Sequence, residues 1–422
     1  MNWINTLPCL SSPHSTSRSS TLPTRGYHLR SITLFTVILL AGGPLALGQS
    51  SIGALHAAKG LEDPPDFSVV PESQWQAIER SVDRGIDHML SQQYRDGSFG
   101  IGELEKPAVT SLVCMAMISR GHLPDVSANA TAESKAIIRS IDYVLSCQRV
   151  DGLLGYSAKT TSSHNYTAFN FSKFMNYNHA ICGLFLTEVY GMTGPVRAGK
   201  IEASVDRALA FVRREQQRHI APEVEARDRG GWRYIGDPDI DNFYSDLSVT
   251  SWVVMFLRSA ENAGFDVPIE WAKQALAYVL RCYDKPTGTF GYAPGHPHMA
   301  TRGLLGAGTV CLFLTGHKDR VMEQKTAQLI KDQPFSRYNY QSHKREHYHY
   351  SAYYISQAAM QIGGQTWEQF YPEFANTLIE HQHRDGSWEP ESKRPDLGNV
   401  YPTALSVLAL TPPYQLLPIY QR

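Results

Sequence analysis

The sequence predicts an all-α protein in which helical hairpins close into a barrel, with about six helices in an inner ring and about six in an outer one. Three observations predict it. A Gln-x-x-x-Gly-x-aromatic pattern recurs along the chain. Between its copies, amphipathic helical stretches alternate with stretches that are apolar on every side. No strand-like alternation of any length competes with them.

The pattern is plainest near the two ends. Arg95-Asp96-Gly97-Ser98-Phe99 and Arg384-Asp385-Gly386-Ser387-Trp388 are one block written twice, each preceded by a glutamine, Gln93 and Gln382. Gln148, Gly152 and Leu154 repeat the spacing. Before these anchors, "GIDHMLSQQ" lies over "SIDYVLSCQ", and "SVDR" stands before both Gln93 and Gln216 at one offset. The copy at Gln216 carries a long insert before Gly230 and Trp232. In the next copy Tyr283 replaces the glutamine, with Gly288 and Phe290 after it, and a degenerate copy fits around Asp332. Repeats of this length read as supersecondary units that bury their apolar faces against one another.

Each unit holds two predicted helices. The first is amphipathic, as in the stripe Val82, Ile86, Met89, Leu90 and Gln93. The second is apolar all round: "VTSLVCMAMI", "AICGLFLTEV", "VTSWVVMFL" and "ALSVLAL". A helix apolar on every side is buried on every side, so these form the inner ring. The outer helix stops at Asp-Gly, where glycine takes the left-handed backbone of a helix end. The glutamine before it carries a donor and an acceptor, and can tie that end to the neighbouring unit.

Composition narrows the function classes. Lys and Arg total 39 against 40 Asp and Glu, a net charge of −1. No basic stripe is present for a nucleic-acid backbone, so no nucleic-acid partner is expected. Residues 1–30 carry Arg18, Arg25 and Arg30 and no acid, and "SITLFTVILLAGGPLALG" follows over 31–48. We read 1–48 as a secretory signal cut after Gly48, with an uncleaved anchor as the alternative. The protein is then exported to the periplasm or cell envelope, close to a membrane. Residues 49–74 form a loose leader, and 75–422 a single domain. Cys114, Cys147, Cys182, Cys282 and Cys311 are widely spaced, without Cys-x-x-Cys, and read as buried thiols.

The repeated block resembles the QW motif of squalene–hopene and oxidosqualene cyclases, shared more loosely by protein prenyltransferase β subunits. The resemblance covers roughly residues 75–422. "GGWRY…DLSVTSW", "YHYSAYYISQAAMQIGG" and "VYPTALSVLAL…LPIYQR" resemble exported bacterial proteins with prenyltransferase and squalene oxidase repeats. The resemblance implies an α/α toroid of six inner and six outer helices around a central cavity, and an isoprenoid-like apolar small molecule as the partner.

Class II cyclases of that family protonate an alkene from Asp-x-Asp-Asp-Thr-Ala at the start of an inner helix. Asp246 and Thr250 match it here, whereas Ser248 and Val249 stand in place of the other two aspartates. Prenyltransferases hold zinc with Asp, Cys and His. Tyr348 and His349 match one such stretch, with Ser351 in place of its cysteine. A metal held by His343, His347, His349, His296 and His298 is weighed and not adopted, and no cofactor is predicted. "DPDID", Asp237 to Asp241, reads as a solvated acidic loop.

Candidate residues follow from register. Thr110, His179, Thr250, Thr301 and Thr403 stand in the first turns of inner helices. Helix N-termini gathered at one mouth favour an anion, although hydroxyls there also brace first turns. The candidate acids and bases are Asp246, His179 and His349. The candidate pocket is Thr110, Thr250, Trp252, Arg302, Tyr353, Tyr354 and Tyr401. Three functions fit: a prenyltransferase- or squalene cyclase-like toroid acting on or binding an isoprenoid or other apolar ligand in a central cavity, a non-catalytic toroid binding lipid or protein, and a carbohydrate-active α-barrel using Asp239, Asp241 and Asp246. A thioester protein is excluded by the lack of Cys-Gly-Glu-Gln. Oligomeric state is left open.

Overall fold

A computed structural model describes residues 65–156, 168–218, 226–235, 245–341, 345–391 and 394–420. The predicted signal segment, most of the leader, Asp237–Asp241 and His343 lie outside the described residues.

The first hairpin joins α1 (Glu72–Ser91) to α2 (Lys106–Ser119), and the second α3 (Ala132–Ser146) to α4 (Ala168–Val189). The third joins α5 (Pro195–Arg218) to α6 (Leu247–Asn262), and the fourth α7 (Ile269–Cys282) to α8 (Arg302–Leu314). α9 (Arg320–Asp332) with α10 (Tyr348–Ile362), and α11 (Gly364–Glu380) with α12 (Val400–Leu410), complete the set. Even-numbered helices pack side by side as α2–α4–α6–α8–α10–α12, and α12 returns to α2. The inner ring is therefore closed. α1 likewise packs on both α3 and α11 outside it. This is an all-α toroid, as the sequence predicts.

Burial explains the two rings. α1 buries the single stripe Ile78, Ser81, Val82, Gly85, Ile86 and Met89. α2 buries every residue from Pro107 to Ser119. Inner helices approach closely where a side chain is missing: a Cβ on Gly306 of α8 would lie 2.6 Å from the Tyr354 backbone of α10. Several starts are capped as their sequences dictate. Thr131 accepts from Ser134 N (3.1 Å), Thr301 from Leu304 N (3.2 Å) and Asp246 from Val249 N (2.8 Å).

The recurring glutamine does the same task in four units. Gln93 Nε2 donates to Gly97 O (3.1 Å) in its own turn and to Ala136 O (3.0 Å) on α3. Gln148 Nε2 reaches Gly152 O (3.1 Å) and Ser204 O (2.8 Å) on α5. Gln216 Nε2 reaches Gly230 O (3.1 Å) and Trp271 O (3.2 Å) on α7. Each tie runs from the end of one outer helix to the next outer helix.

The fourth unit departs from the pattern. With Tyr283 in place of the glutamine, the turn closes as a two-residue hairpin, Tyr283↔Phe290 and Asp284↔Thr289. Asp284 Oδ2 takes the Thr287 N–H (3.1 Å) and hydroxyl (2.6 Å) and does the holding there. The degenerate copy ends α9 at Asp332 without a glycine. All five cysteines among the described residues are buried free thiols. Among those residues no helix is long and apolar enough to cross a membrane.

Candidate functional site

A cavity of about 670 Å³ lies at the end of the ring where the inner helices begin. Its deeper wall is apolar: Ala108, Val109 and Leu112 of α2, Ile181 of α4, Trp252 of α6 and Leu304 of α8. Tyrosines form the middle band, with Tyr177 on α4, Tyr350 on α10, Tyr401 on α12, and Tyr234 and Tyr292 on loops. The rim carries Glu105, His296, His298, Arg345, His347 and Arg394. Arg394 is held by Asp396 (2.7 Å) and by Glu105 (3.4 Å).

The tyrosine band is hydrogen-bonded. Tyr177 OH donates to Ser248 Oγ (2.9 Å), and Ser248 Oγ is hydrogen-bonded to Tyr350 OH (2.8 Å). Tyr234 and Tyr292 hydroxyls meet at 3.1 Å. Burial pushes the Tyr177 and Tyr292 hydroxyls well above their usual range, so both stay protonated.

Of the candidate pocket residues, Trp252 and Tyr401 line this cavity. Thr110, Thr250, Arg302, Tyr353 and Tyr354 do not line it. Thr110 and Thr250 are fully buried and brace their own repeats, accepting from Phe99 N (2.9 Å) and Trp232 N (3.0 Å). Thr403 does the same for Trp388 N (3.1 Å). Arg302 is consumed by Glu346 Oε1 (2.6 Å) and the carbonyls of Tyr340 (2.9 Å) and Pro334 (3.2 Å). Tyr353 stacks on Trp252 with centroids 5.5 Å apart, and Tyr354 OH meets Ser251 Oγ at 3.0 Å.

The candidate acids and bases lie behind the wall rather than on it. His179 fills the threonine's place in the second unit: Nδ1 accepts from Leu154 N (3.0 Å), so the Nε2–H donates to Ala208 O (3.1 Å). Burial lowers its pKa to about 4 and keeps it neutral. His349 is fully buried between Ser406 Oγ (3.0 Å) and Tyr338 OH (3.4 Å), and burial lowers it to about 3. Asp246 caps α6 with Oδ1, and its Oδ2 stands 3.6 Å from Arg233 Nη1. Burial raises Asp246 to about 6, with Arg233 opposing the shift. A second buried carboxylate, Glu391, accepts from Tyr348 N (2.8 Å) and His349 N (2.7 Å) at the start of α10 and is raised by burial to about 7.

Ser248 stands on the cavity and Val249 is fully buried, so the two positions that carry aspartates in the cyclase motif offer no carboxyl group. The described residues bring no three His, Cys, Asp or Glu side chains together as a metal site. Asp239 and Asp241 lie outside the described residues, so the paired carboxylates of the carbohydrate reading are not assembled among them. Tyr177, Tyr234, Ser248, Tyr292 and Tyr350 are wall residues that sequence register does not single out as pocket.

No protein-family model matches the chain, and no curated protein does. Solved structures match. A variant of the type II terpene cyclase MstE from Scytonema, in complex with geranylgeranyl dihydroxybenzoate, is 12% identical over 82% of this chain and 100% of its own, with a TM-score of 0.52. An inactive variant of an α-1,6-mannanase from a Salegentibacter species, in complex with α-1,6-mannotetrose, is 9% identical over 80% of this chain and 99% of its own, with a TM-score of 0.51. At these identities the likeness is one of fold. The chain has a terpenoid-cyclase-like α/α toroid fold, shared with a glycosidase, and fold alone does not choose the chemistry.

Proposed function

We propose that the protein holds an apolar, isoprenoid-type molecule in the central cavity of its toroid. One observation carries this reading. A cavity of about 670 Å³ is walled inside by Leu112, Ile181, Trp252 and Leu304 and banded by tyrosines. Pockets of a few hundred Å³ with apolar walls and few polar groups suit small molecules that are themselves mostly apolar. The MstE variant, with a similar fold, holds a geranylgeranyl compound. Among the described residues one carboxylate, Glu105, lines the cavity, where the carbohydrate reading calls for two flanking it.

The reading is of a protein that holds its ligand rather than one that starts a cyclisation with the usual acid. Valine at position 249 has no proton to donate, and Ser248 is a far weaker acid than aspartate. Asp246 is bound up in its cap and in its pairing with Arg233. Residues 1–48 support a location outside the cytoplasm, in the periplasm or cell envelope, where such lipids are at hand.

The test is direct. Mature protein purified from its host is extracted with organic solvent and the extract examined by mass spectrometry. A polyprenyl or triterpenoid lipid in amounts comparable to the protein is the expected result. An extract free of lipid, together with no turnover of squalene or prenyl diphosphates, would end the proposal.

A further inference from the structure

The cavity wall carries a group of hydroxyls that a pure hydrocarbon ligand would not use. Tyr177, Ser248 and Tyr350 all face the cavity and are joined by two hydrogen bonds, at 2.9 and 2.8 Å. Three hydroxyls carry three protons, and two mutual bonds use two of them. Ser251, on the same helix, gives its proton to the Ser248 carbonyl (2.9 Å) and meets Tyr354 OH (3.0 Å). The third O–H makes no bond within the group; with Ser251 also near the Tyr350 hydroxyl, it is poised between Ser251 Oγ and an oxygen in the cavity. Asn178, another polar side chain on this wall, spends its oxygen and one of its two N–H groups on the backbone. It donates to Leu104 O (2.6 Å) and accepts from Ala108 N (3.1 Å).

Position matters as much as proton count. Ser248 and Trp252 are one helical turn apart on α6, and both line the cavity. The hydroxyl group therefore borders the apolar part directly. An oxygen at one end of an apolar ligand would meet Tyr350 or Ser248 while the chain lies against Trp252. A neutral partner fits, because burial holds Tyr177 and Tyr350 protonated and no carboxylate belongs to the group.

We propose that the Tyr177–Ser248–Tyr350 group is a binding site for the oxygen-bearing end of the ligand, and that the ligand is a neutral oxygenated isoprenoid, an alcohol, aldehyde or ketone. The proposal rests on the reading that the cavity takes an isoprenoid-type molecule. A hydrocarbon would leave the third proton to Ser251, whereas an oxygen-bearing end adds an acceptor for the group.

The experiment compares geranylgeraniol with the hydrocarbon that lacks its hydroxyl, on the mature chain, by quenching of tryptophan fluorescence. The alcohol is expected to bind about tenfold more tightly, the scale of one net hydrogen bond. In the triple variant Tyr177→Phe, Ser248→Ala, Tyr350→Phe, which removes all three hydroxyls, that gap should close. Tyr177→Phe alone leaves two hydroxyls, one mutual bond and one spare proton, so the gap should persist in it. Equal binding of the two probes by the unaltered protein overturns the proposal and leaves the apolar reading standing. So does a gap that survives the triple variant. If neither probe binds, the isoprenoid reading itself falls. The comparison on the unaltered protein decides the matter even if a variant fails to fold.

Discussion

Gln382 donates from its side chain to the backbone carbonyl of Ser81 at 2.8 Å, joining residues 301 positions apart. The same Nε2 reaches Gly386 O (2.8 Å), and its Oε1 accepts from the Ser81 hydroxyl (2.8 Å) and from Arg84. These are the bonds Gln93, Gln148 and Gln216 make to the outer helices that follow them. Here the next helix is the first one, so the repeat rule also closes the ring. Gln74 adds to the seam, donating to Pro372 O at 2.7 Å.

Replacing Gln382 by alanine takes the side-chain donor from Gly386 O and from Ser81 O, whose remaining donor is the N–H of its own helix, at a part-buried seam. Each such loss costs about 1–3 kcal/mol. The variant should melt below the parent by a margin similar to that of Gln148→Ala, because the two sites make equivalent bonds. Calorimetry checks this. A Gln382→Ala protein as stable as the parent would mean that the seam is held by packing alone.

Gly386 separates backbone strain from mere helix weakness. Its φ is +88°, and a Cβ there would lie 2.1 Å from the Arg84 carbonyl oxygen. Gly386→Ala should cost at least about 2 kcal/mol, since left-handed backbone alone costs an L-residue about 1–2. Gly199, exposed in α5 with no atom within 4 Å of its added Cβ, is the control. Gly199→Ala should raise stability by about 0.5–1 kcal/mol, because alanine is the better helix former. Denaturant unfolding of the two variants side by side tests the contrast. Equal losses at both sites would contradict it.

His179 and His349 give the protein an acid limb. Burial lowers them from 6.5 to about 4 and about 3. The unfolded chain therefore binds more protons than the folded one between pH 6.5 and those values, and stability rises with pH across that window. Their contribution is whole above pH 6.5 and is lost as pH falls. His179→Gln should flatten the fall between pH 6.5 and 4, whatever it costs at pH 7. An unchanged slope would show that His179 is not buried neutral in solution.

The ring was legible in the sequence because its signals are local. Gln93 and Gly97 lie in one turn, and Val82, Ile86 and Met89 in one stripe. The register Thr110, His179, Thr250 and Thr403 was legible too, but not its direction. Spacing places a residue in the first turn of a helix and does not say which way the turn faces. On helices apolar all round there is no polar face to reveal it. Those side chains turn back to the backbone of Phe99, Leu154, Trp232 and Trp388. The wall that does face the cavity is gathered from separate elements, and Tyr234 and Tyr292 come from loops with no periodicity to mark them.

The cavity reading makes its own demand on Leu304. This residue is nearly buried at 4% exposure and lines the apolar part of the cavity beside Trp252. Leu304→Trp should fill part of the space. Overpacking of this kind costs about 1–3 kcal/mol where the new ring has no room, and less where it enters a cavity. The variant should keep its fold by circular dichroism and lose at least tenfold in affinity for an isoprenoid alcohol. Undiminished binding would place the ligand elsewhere.

At the far end of the ring, the C-terminal segment is pinned by a buried acid. Glu188 of α4 is 2% exposed; its Oε1 accepts from Ser259 Oγ (2.5 Å) and its Oε2 from Ile419 N (3.2 Å). Burial raises it from 4.5 to about 7. The folded state therefore holds a proton that the unfolded chain releases between those values, and stability falls as pH rises through the window. At pH 8 the fold must carry an ionised carboxylate away from water. Glu188→Gln removes that charge and keeps an acceptor for Ile419 N. The variant should gain on the parent as pH rises from 5 to 8, and proteolysis near Ile419 at pH 8 should slow. Parallel stability curves for the two proteins across that range would show that Glu188 is ionised or hydrated in the native state, and that the C-terminal segment is held by Leu417 and Ile419 packing alone.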